Sequence, residues 1–286
     1  MDHPGETPLP ARALEKEQAL LAWLRERRAV VIGFSGGVDS AYLACVAVEA
    51  VGAECVVAAV GRSASYPDEQ WATARRAAEQ FGLSLVQVET EEMSDPRYVA
   101  NAANRCYFCK AELWSKLAAV ARMRGIETVV DGTNADDLRE HRPGLRAGQE
   151  RGVRSPLQEV GLTKFEIRSL SRLRGIPTWQ QPSSPCLASR VPHGTPVTLE
   201  RLRQVELAES ALRTLGITGD LRVRHHGDVA RVELAPAELG HWAHGSCADA
   251  VHRAVRAVGF ARVEIDPRGY RSASLNVFAG APLSRD

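Results

Sequence analysis

Residues 29–40 read Ala29-Val30-Val31-Ile32-Gly33-Phe34-Ser35-Gly36-Gly37-Val38-Asp39-Ser40. Val30, Val31, Ile32 and Phe34 form the short, continuous apolar run that fills a strand buried on both faces. Gly36 and Gly37 permit a tight turn and let backbone N–H groups approach a ligand closely. Asp39 and Ser40 then open an apolar helix, expected from Ala41 to Val51, whose first N–H groups are unsatisfied and whose dipole favours an anion. Strand, glycine turn and helix N-terminus together make a phosphate cradle from Gly33 through Ser35, Gly36, Gly37 and Val38 to Asp39 and Ser40. The alternative is an ordinary strand-to-helix turn. No Gly-x-x-x-x-Gly-Lys-Ser/Thr and no Gly-x-Gly-x-x-Gly occurs in the chain, so neither an NTPase P-loop nor a dinucleotide fingerprint competes.

Outward from this stretch, strand and helix signals alternate. An amphipathic lead-in helix is expected over Ala11–Arg28, with Leu14, Leu20, Leu21 and Leu24 on one face. Further strands are expected at Glu54–Val60, Leu83–Val88 and Thr128–Asp131, and helices at Pro67–Phe81, Lys110–Arg124 and Thr163–Arg174. Thr163 and Glu166 have the spacing of a capping box. The alternation predicts an α/β fold with a doubly wound parallel sheet, whose ligands sit at the carboxyl ends of the strands, where Ser35 and Asp131 both fall.

The pattern breaks over Ile176–Pro196, where five prolines, three serines and Gly194 predict a long loop. Beyond it the order changes. A helix is expected at Leu199–Leu215, a hairpin at Leu221–His225 and Val229–Leu234 around Gly227-Asp228, a helix at Pro236–Val258 and a strand at Arg262–Ile265. This predicts two domains: residues 1–193, with the lead-in helix and a cysteine-bearing loop, and residues 194–286, a small α+β unit for substrate binding or oligomerisation.

Composition sets limits on function. In 286 residues, a formal net charge of +1 argues against a broad polyanion-binding surface and so against nucleic acid as the partner. No apolar run approaches the ~20 residues that span a bilayer, and Met1–Pro10 lacks the features of a secretory signal. A cytoplasmic protein is expected. Six cysteines are then more in keeping with buried, metal-bound or catalytic thiols than with disulfides.

Four groups of residues carry chemistry. Asp131-Gly132-Thr133-Asn134-Ala135-Asp136-Asp137 follows the fourth expected strand, where a turn at Gly132 brings carboxylates within reach of a metal-bound triphosphate; the alternative is helix capping by Asn134 or Asp136. Cys106-Tyr107-Phe108-Cys109 precedes an expected helix, and Cys186 lies in the proline-rich loop. Three thiolates around one open position suit an iron–sulfur cluster that keeps one iron for an exogenous sulfide, whereas His193 would complete a zinc set. Cys45, Cys55 and Cys247 read as small buried hydrophobes. Arg222 and Arg224 alternate on a strand and share a face suited to a phosphate, with Ser189 and Arg190 as helpers; the alternative is a solvated basic edge. Glu206 and Glu209 read as surface residues, and His225-His226, pointing to opposite faces, as a poor chelating pair.

Ser35–Ser40 resembles the PP-loop of the ATP pyrophosphatase superfamily, which implies Mg²⁺-dependent splitting of ATP between its α- and β-phosphates to adenylate a substrate oxygen. Pro185-Cys186-Leu187-Ala188-Ser189-Arg190, Arg222-Val223-Arg224-His225-His226-Gly227 and Gly269-Tyr270-Arg271-Ser272 resemble the LarE family. With the PP-loop, Asp131–Asp137 and His141-Arg142-Pro143-Gly144, the resemblance extends over nearly the whole chain. It implies an ATP-dependent sulfurtransferase acting on pyridinium-3,5-biscarboxylic acid mononucleotide, a step towards the nickel-pincer nucleotide cofactor of lactate racemase. Asp39 and Asp136 are then expected to hold Mg²⁺, with Gly132 and Asn134 beside the nucleotide, and Arg222, Arg224, Ser189 and Arg190 to hold the substrate phosphate.

Cys186 matches the cysteine that some members of the family sacrifice as sulfur donor. Cys106 and Cys109 match a subgroup in which three cysteines carry a [4Fe-4S] cluster, and the cluster type is the expectation here. The resemblance also implies a homo-oligomer. An rival reading is tRNA thiolation, which some PP-loop enzymes with similar cysteines perform; an ATP-sensing module without catalysis is another.

Overall fold

A computed structural model describes residues 11–139, 143–182 and 184–271. His141, Arg142 and Ser272, quoted above, lie outside the described residues. The chain forms two compact units. The first takes the residues up to Glu92 together with Cys106–Ser184; the second takes Met93–Arg105 together with the residues from Pro185 onward. The division thus falls at 184/185 in the proline-rich loop, earlier than the composition suggested, and the second unit also recruits a segment from between β3 and α5.

In chain order the first unit opens with α1 (Ala11–Arg27), β1 (Val30–Gly33), α2 (Val38–Val51), β2 (Val56–Arg62), α3 (Asp68–Gln80) and β3 (Ser84–Glu89). A short α4 (Pro96–Val99) belongs to the recruited segment. The first unit resumes with α5 (Arg105–Met123, from Cys106 on), β4 (Thr128–Val130), α6 (Pro143–Gln149), α7 (Pro156–Glu159) and α8 (Lys164–Leu173). Its four strands are parallel in the order β3-β2-β1-β4.

Alternation along β1 explains why helices cover both faces. Val30 and Ile32 pack with Leu20, Leu21, Leu24, Leu43 and Ile167 of α1, α2 and α8. Val31 packs on the opposite side with Trp114 and Leu117 of α5 and Val129 of β4. Each fully buried leucine contributes about 1.5–3 kcal/mol, so three of them on α1 are sufficient reason for the lead-in helix to dock. The sheet order reverses direction between β1 and β4, and a doubly wound sheet opens a ligand crevice at such a reversal.

The second unit continues with α9 (Leu199–Thr214), β5 (Leu221–His226), β6 (Val229–Leu234), α10 (Pro236–Trp242), α11 (Gly245–Arg256) and β7 (Arg262–Ile265). β5 and β6 form the expected hairpin, and β7 adds parallel to β6. Ala208 and Leu212 of α9 and Val251 and Val255 of α11 cover the face bearing Leu221, Val223 and Val232.

Two helices differ from expectation. The helix expected over Pro236–Val258 is two helices, because His244 is extended and Gly245 takes a left-handed φ of +58°. α5 starts at Arg105 rather than Lys110, so Cys106 and Cys109 sit within its first turns instead of before it.

Candidate functional site

The first unit builds its site around the PP-loop. Gly36 has a φ of +70°, and a Cβ there would stand 2.5 Å from the Ala74 backbone, so only glycine lets the turn pass α3. Internal bonds fix the loop. Ser40 Oγ donates to the Gly37 carbonyl and accepts from the Ser35 N–H (3.2 and 3.3 Å), and Ser35 Oγ accepts from the Gly37 N–H at 3.3 Å. Tyr66 and Gln70 both donate to the Ser35 carbonyl. α2 begins at Val38, earlier than expected, with Gly37 as an N-cap that supplies no side-chain acceptor. No side-chain cap therefore occupies its first N–H groups, the arrangement that suits an anion.

The loop after β4 comes against this turn. A Cβ at Gly132 would stand 3.0 Å from the Ser40 nitrogen and 3.3 Å from Asp39 Cβ. Asn134 is buried and accepts from the Asp136 N–H, while Asp137 Oδ2 accepts from the Asn134 N–H, both at 3.0 Å. Asp136 Oδ2 accepts from the Lys164 N–H at 2.8 Å. Asp136 thus holds the first N–H of α8, whose N-cap is Thr163, while the local cap read as the alternative is made by Asn134 on the Asp136 N–H. Asp131 holds its own loop by accepting from the Thr133 N–H and the Ser155 hydroxyl.

Sequence reasoning missed Lys164. Its ammonium donates to Asp39 Oδ2 at 2.5 Å. Asp39 Oδ1 is buried with no hydrogen-bond partner among the described residues. Burial pushes the Asp39 carboxyl above its ordinary value despite the opposing pull of Lys164, and Asp137 adds to the rise. An orphaned carboxylate oxygen beside a glycine cradle suits a divalent cation carried by phosphates, since Mg²⁺ takes one or two carboxylates and fills its shell with phosphate and water oxygens. The available signal was the Thr163–Glu166 capping box, which the structure forms in full and which fixes Lys164 as the first residue of α8.

Also unforeseen is Glu92, a buried carboxylate that accepts from Ser63 (2.5 Å) and Ser65 (2.8 Å) and leaves Oε2 without a partner among the described residues. It braces the turn beyond β2 from which Tyr66 reaches the PP-loop.

Cys106 is exposed and Cys109 half-buried, three residues apart on one helix face. None of the six cysteines forms a disulfide. Cys45, Cys55 and Cys247 are half-buried, not the fully buried hydrophobes expected: Cys45 lies beside Arg174, and Cys247 Sγ is 3.6 Å from His241 Nε2. Among the described residues, no group of three or more His, Cys, Asp or Glu is placed to hold a metal ion.

In the second unit, half-buried Cys186 precedes a single 3-10 turn, Leu187–Arg190. Arg190 is 2% exposed, and its guanidinium is spent within the unit: Nε and Nη2 donate to Glu209 at 2.9 Å each, and Nη1 donates to the carbonyls of Pro185 and Cys186 and to Ser189 Oγ. Glu209 is thus no surface residue; it also accepts from the Val223 N–H at the sheet edge.

Arg222 and Arg224 are buried, which removes the solvated-edge alternative. Arg224 pairs with Glu233 at 2.8 Å and donates to the Ser189 carbonyl. Arg222 lies 4.9 Å from the Tyr270 ring centre, and burial, then the neighbouring Arg190, lowers its pKa. Arg190, Arg222 and Arg224 thus bring three buried guanidiniums into one unit, with Glu209 bonded to Arg190 and Glu233 to Arg224. His225 bonds Gln204 and packs on Phe260, in keeping with a structural role.

A family model described as NAD synthase matches residues 20–127, the part that contains the PP-loop. A protein of Synechocystis sp. described as uncharacterised is 40% identical over 261 residues, 91% of this chain and 97% of the relative. Pyridinium-3,5-bisthiocarboxylic acid mononucleotide synthase of Lactiplantibacillus plantarum is 34% identical over 261 residues, 91% of this chain and 94% of that enzyme. Cytoplasmic tRNA 2-thiolation protein 1 of Eremothecium gossypii is 34% identical over only 122 residues, 39% of this chain and 33% of its own length. Similarity to the L. plantarum enzyme runs through both units, and the chain belongs to the LarE family of PP-loop, ATP-dependent sulfurtransferases.

Proposed function

We propose that the protein converts the carboxylates of pyridinium-3,5-biscarboxylic acid mononucleotide to thiocarboxylates, for the nickel-pincer nucleotide cofactor of lactate racemase. The similarity to the L. plantarum synthase across 91% of the chain carries this reading. A substrate carboxylate oxygen attacks the α-phosphorus of ATP and pyrophosphate leaves. A sulfur nucleophile then attacks the acyl carbon and displaces AMP. Gly33, Ser35–Ser40, Gly132 and Asn134 hold the triphosphate, and Asp39 with Asp136 holds Mg²⁺, which would offset the charge that builds on the leaving pyrophosphate. Arg222 and Arg224, with Ser189 and Arg190 behind them, draw the phosphate of the substrate.

The finer reading concerns sulfur. Cys106, Cys109 and Cys186 are the thiolates of a [4Fe-4S] cluster, which when bound would supply sulfide to the acyl-adenylate. The residue types and the shared helix face of Cys106 and Cys109 support it. A second reading needs one cysteine alone, and half-buried Cys186, in the segment that resembles the family's sulfur-donating loop, supports it. In it, Cys186 Sγ itself forms the thioester, and loss of its Cα proton with cleavage of Cβ–S leaves dehydroalanine and the thiocarboxylate. tRNA thiolation has less support, because that similarity covers 39% of the chain. We further take the protein to act in the cytoplasm as a homo-oligomer; among the described residues no helix is long and apolar enough to cross a membrane.

The test is turnover of the mononucleotide with Mg²⁺ and ATP after anaerobic reconstitution, read by mass spectrometry of product and protein. Replacement of oxygen by sulfur in the product, with pyrophosphate released, is expected. Iron and sulfide bound to an otherwise unchanged protein supports the cluster; loss of H₂S from Cys186 supports sacrifice. Pyrophosphate release without sulfur in the product overturns the proposal.

A further inference from the structure

The segment from Met93 to Arg105 crosses into the second unit and carries two buried polar residues that the reaction scheme leaves unused. Asn101 is fully buried with a left-handed φ of +54°, a conformation rare outside glycine. Its Nδ2 donates to the carbonyls of Pro192 and Thr195 at 2.8 Å and lies 3.3 Å from that of Val191. Its Oδ1 accepts from Arg105 Nη1 at 2.6 Å, and the same nitrogen donates to the Ala188 carbonyl at 2.7 Å. Arg105 is 4% exposed. The Cys186 loop is therefore gripped on one side by Arg190 and Glu209, and on the other by Asn101 and Arg105.

We propose that Asn101 and Arg105 are positioning residues for sulfur delivery, holding the Pro185–Pro192 loop so that the Cys186 thiol is presented in one conformation. The inference deepens the reading above and rests on it for the identity of the reaction. A buried guanidinium must recover its desolvation cost through hydrogen bonds, and Arg105 makes them to the Ala188 carbonyl and to Asn101, whose own left-handed backbone is uncommon outside glycine. Both are spent on the loop that bears one reactive side chain. By chain connectivity Arg105 also directly precedes Cys106, so one peptide bond separates this grip from the first thiol of the pair.

Arg105→Met and Asn101→Gly test this; the glycine keeps the left-handed backbone while deleting the amide. Three quantities are compared with the parent: the rate of pyrophosphate release, the single-turnover rate of sulfur transfer, and alkylation of Cys186 by iodoacetamide, with Cys247 as internal reference. Expected are pyrophosphate release within about twofold, transfer slowed at least tenfold, Cys186 alkylation at least fivefold faster because the loop is released, and partial recovery in Arg105→Lys. Unchanged alkylation and transfer in folded Asn101→Gly protein overturn the inference. So does a fall of all activities in step with a lower Tm, which marks a merely structural role. If the parent itself transfers no sulfur, the functional reading fails, while the alkylation ratio still decides whether the grip exists.

Discussion

Lys164 Nζ stands 2.5 Å from Asp39 Oδ2, which ties the first residue of α8 to the second residue of α2. The pair leaves Asp39 Oδ1 with no partner among the described residues, and Asp39 holds its proton more tightly than an exposed carboxyl does. An under-satisfied buried carboxylate costs stability, which is the expected cost of the proposed cation site.

The sign of the pH effect follows. A carboxyl whose folded pKa is raised contributes stability below its unfolded pKa of about 3.9, and that contribution is lost as pH rises through the folded value. At neutral pH the ionised Asp39 is therefore destabilising. Asp39→Asn is expected to melt no lower than the parent at pH 7, with the gap closing as pH is taken below about 4, while pyrophosphate release falls by about 100-fold or more. A lower Tm at pH 7 together with near-parental release refutes this account.

Lys164→Met removes the nearest cation that favours the ionised form. The carboxyl should then rise further, moving the acid limb of the pyrophosphate-release profile to higher pH, and Lys164→Arg should return it towards the parent. The profile is read at saturating ATP and Mg²⁺. An acid limb that stays put means that Lys164 does not set the charge of Asp39.

The PP-loop was legible because a buried strand, two glycines and an apolar helix follow one another without interruption, and each local preference agrees with the fold. Lys164 was not, because its partner is 125 residues away and nothing local distinguishes it from a solvated lysine at a helix start. Glu209 was misread for a similar reason. On α9 it looks like one of several charged surface positions, and only the return of Arg190 and the β5 edge around it makes it a half-buried partner. The start of α5 was missed because Cys106-Tyr107-Phe108-Cys109 has mediocre helix propensity, which packing of Tyr107 beside Trp114 and Ala147 overrides.

Gly132→Ala probes the close approach of the two loops. The new Cβ meets backbone at the Ser40 nitrogen, which cannot yield as a flexible side chain does. ATP binding, measured by calorimetry, is expected to weaken at least tenfold. Gly240→Ala is the control: it meets nothing within 4 Å and lies in α10, where alanine gains up to about 1 kcal/mol over glycine. Equal ATP affinity in the two variants contradicts the geometry.

Arg222 and Arg224 should separate on substitution although both belong to the proposed phosphate site. Arg224→Ala strips a buried carboxylate of the guanidinium bonded to it, and breaking such a pair costs about 3–5 kcal/mol. Its principal signature is therefore a lowered urea midpoint, which masks any effect on binding. Arg222 lies against the Tyr270 ring and donates to the Leu221 carbonyl at 2.6 Å, and burial, then the neighbouring Arg190, lowers its pKa. Arg222→Ala is expected to raise the KM for the mononucleotide at least tenfold and leave the KM for ATP within about twofold. A substrate KM unchanged in Arg222→Ala removes this residue from phosphate recognition.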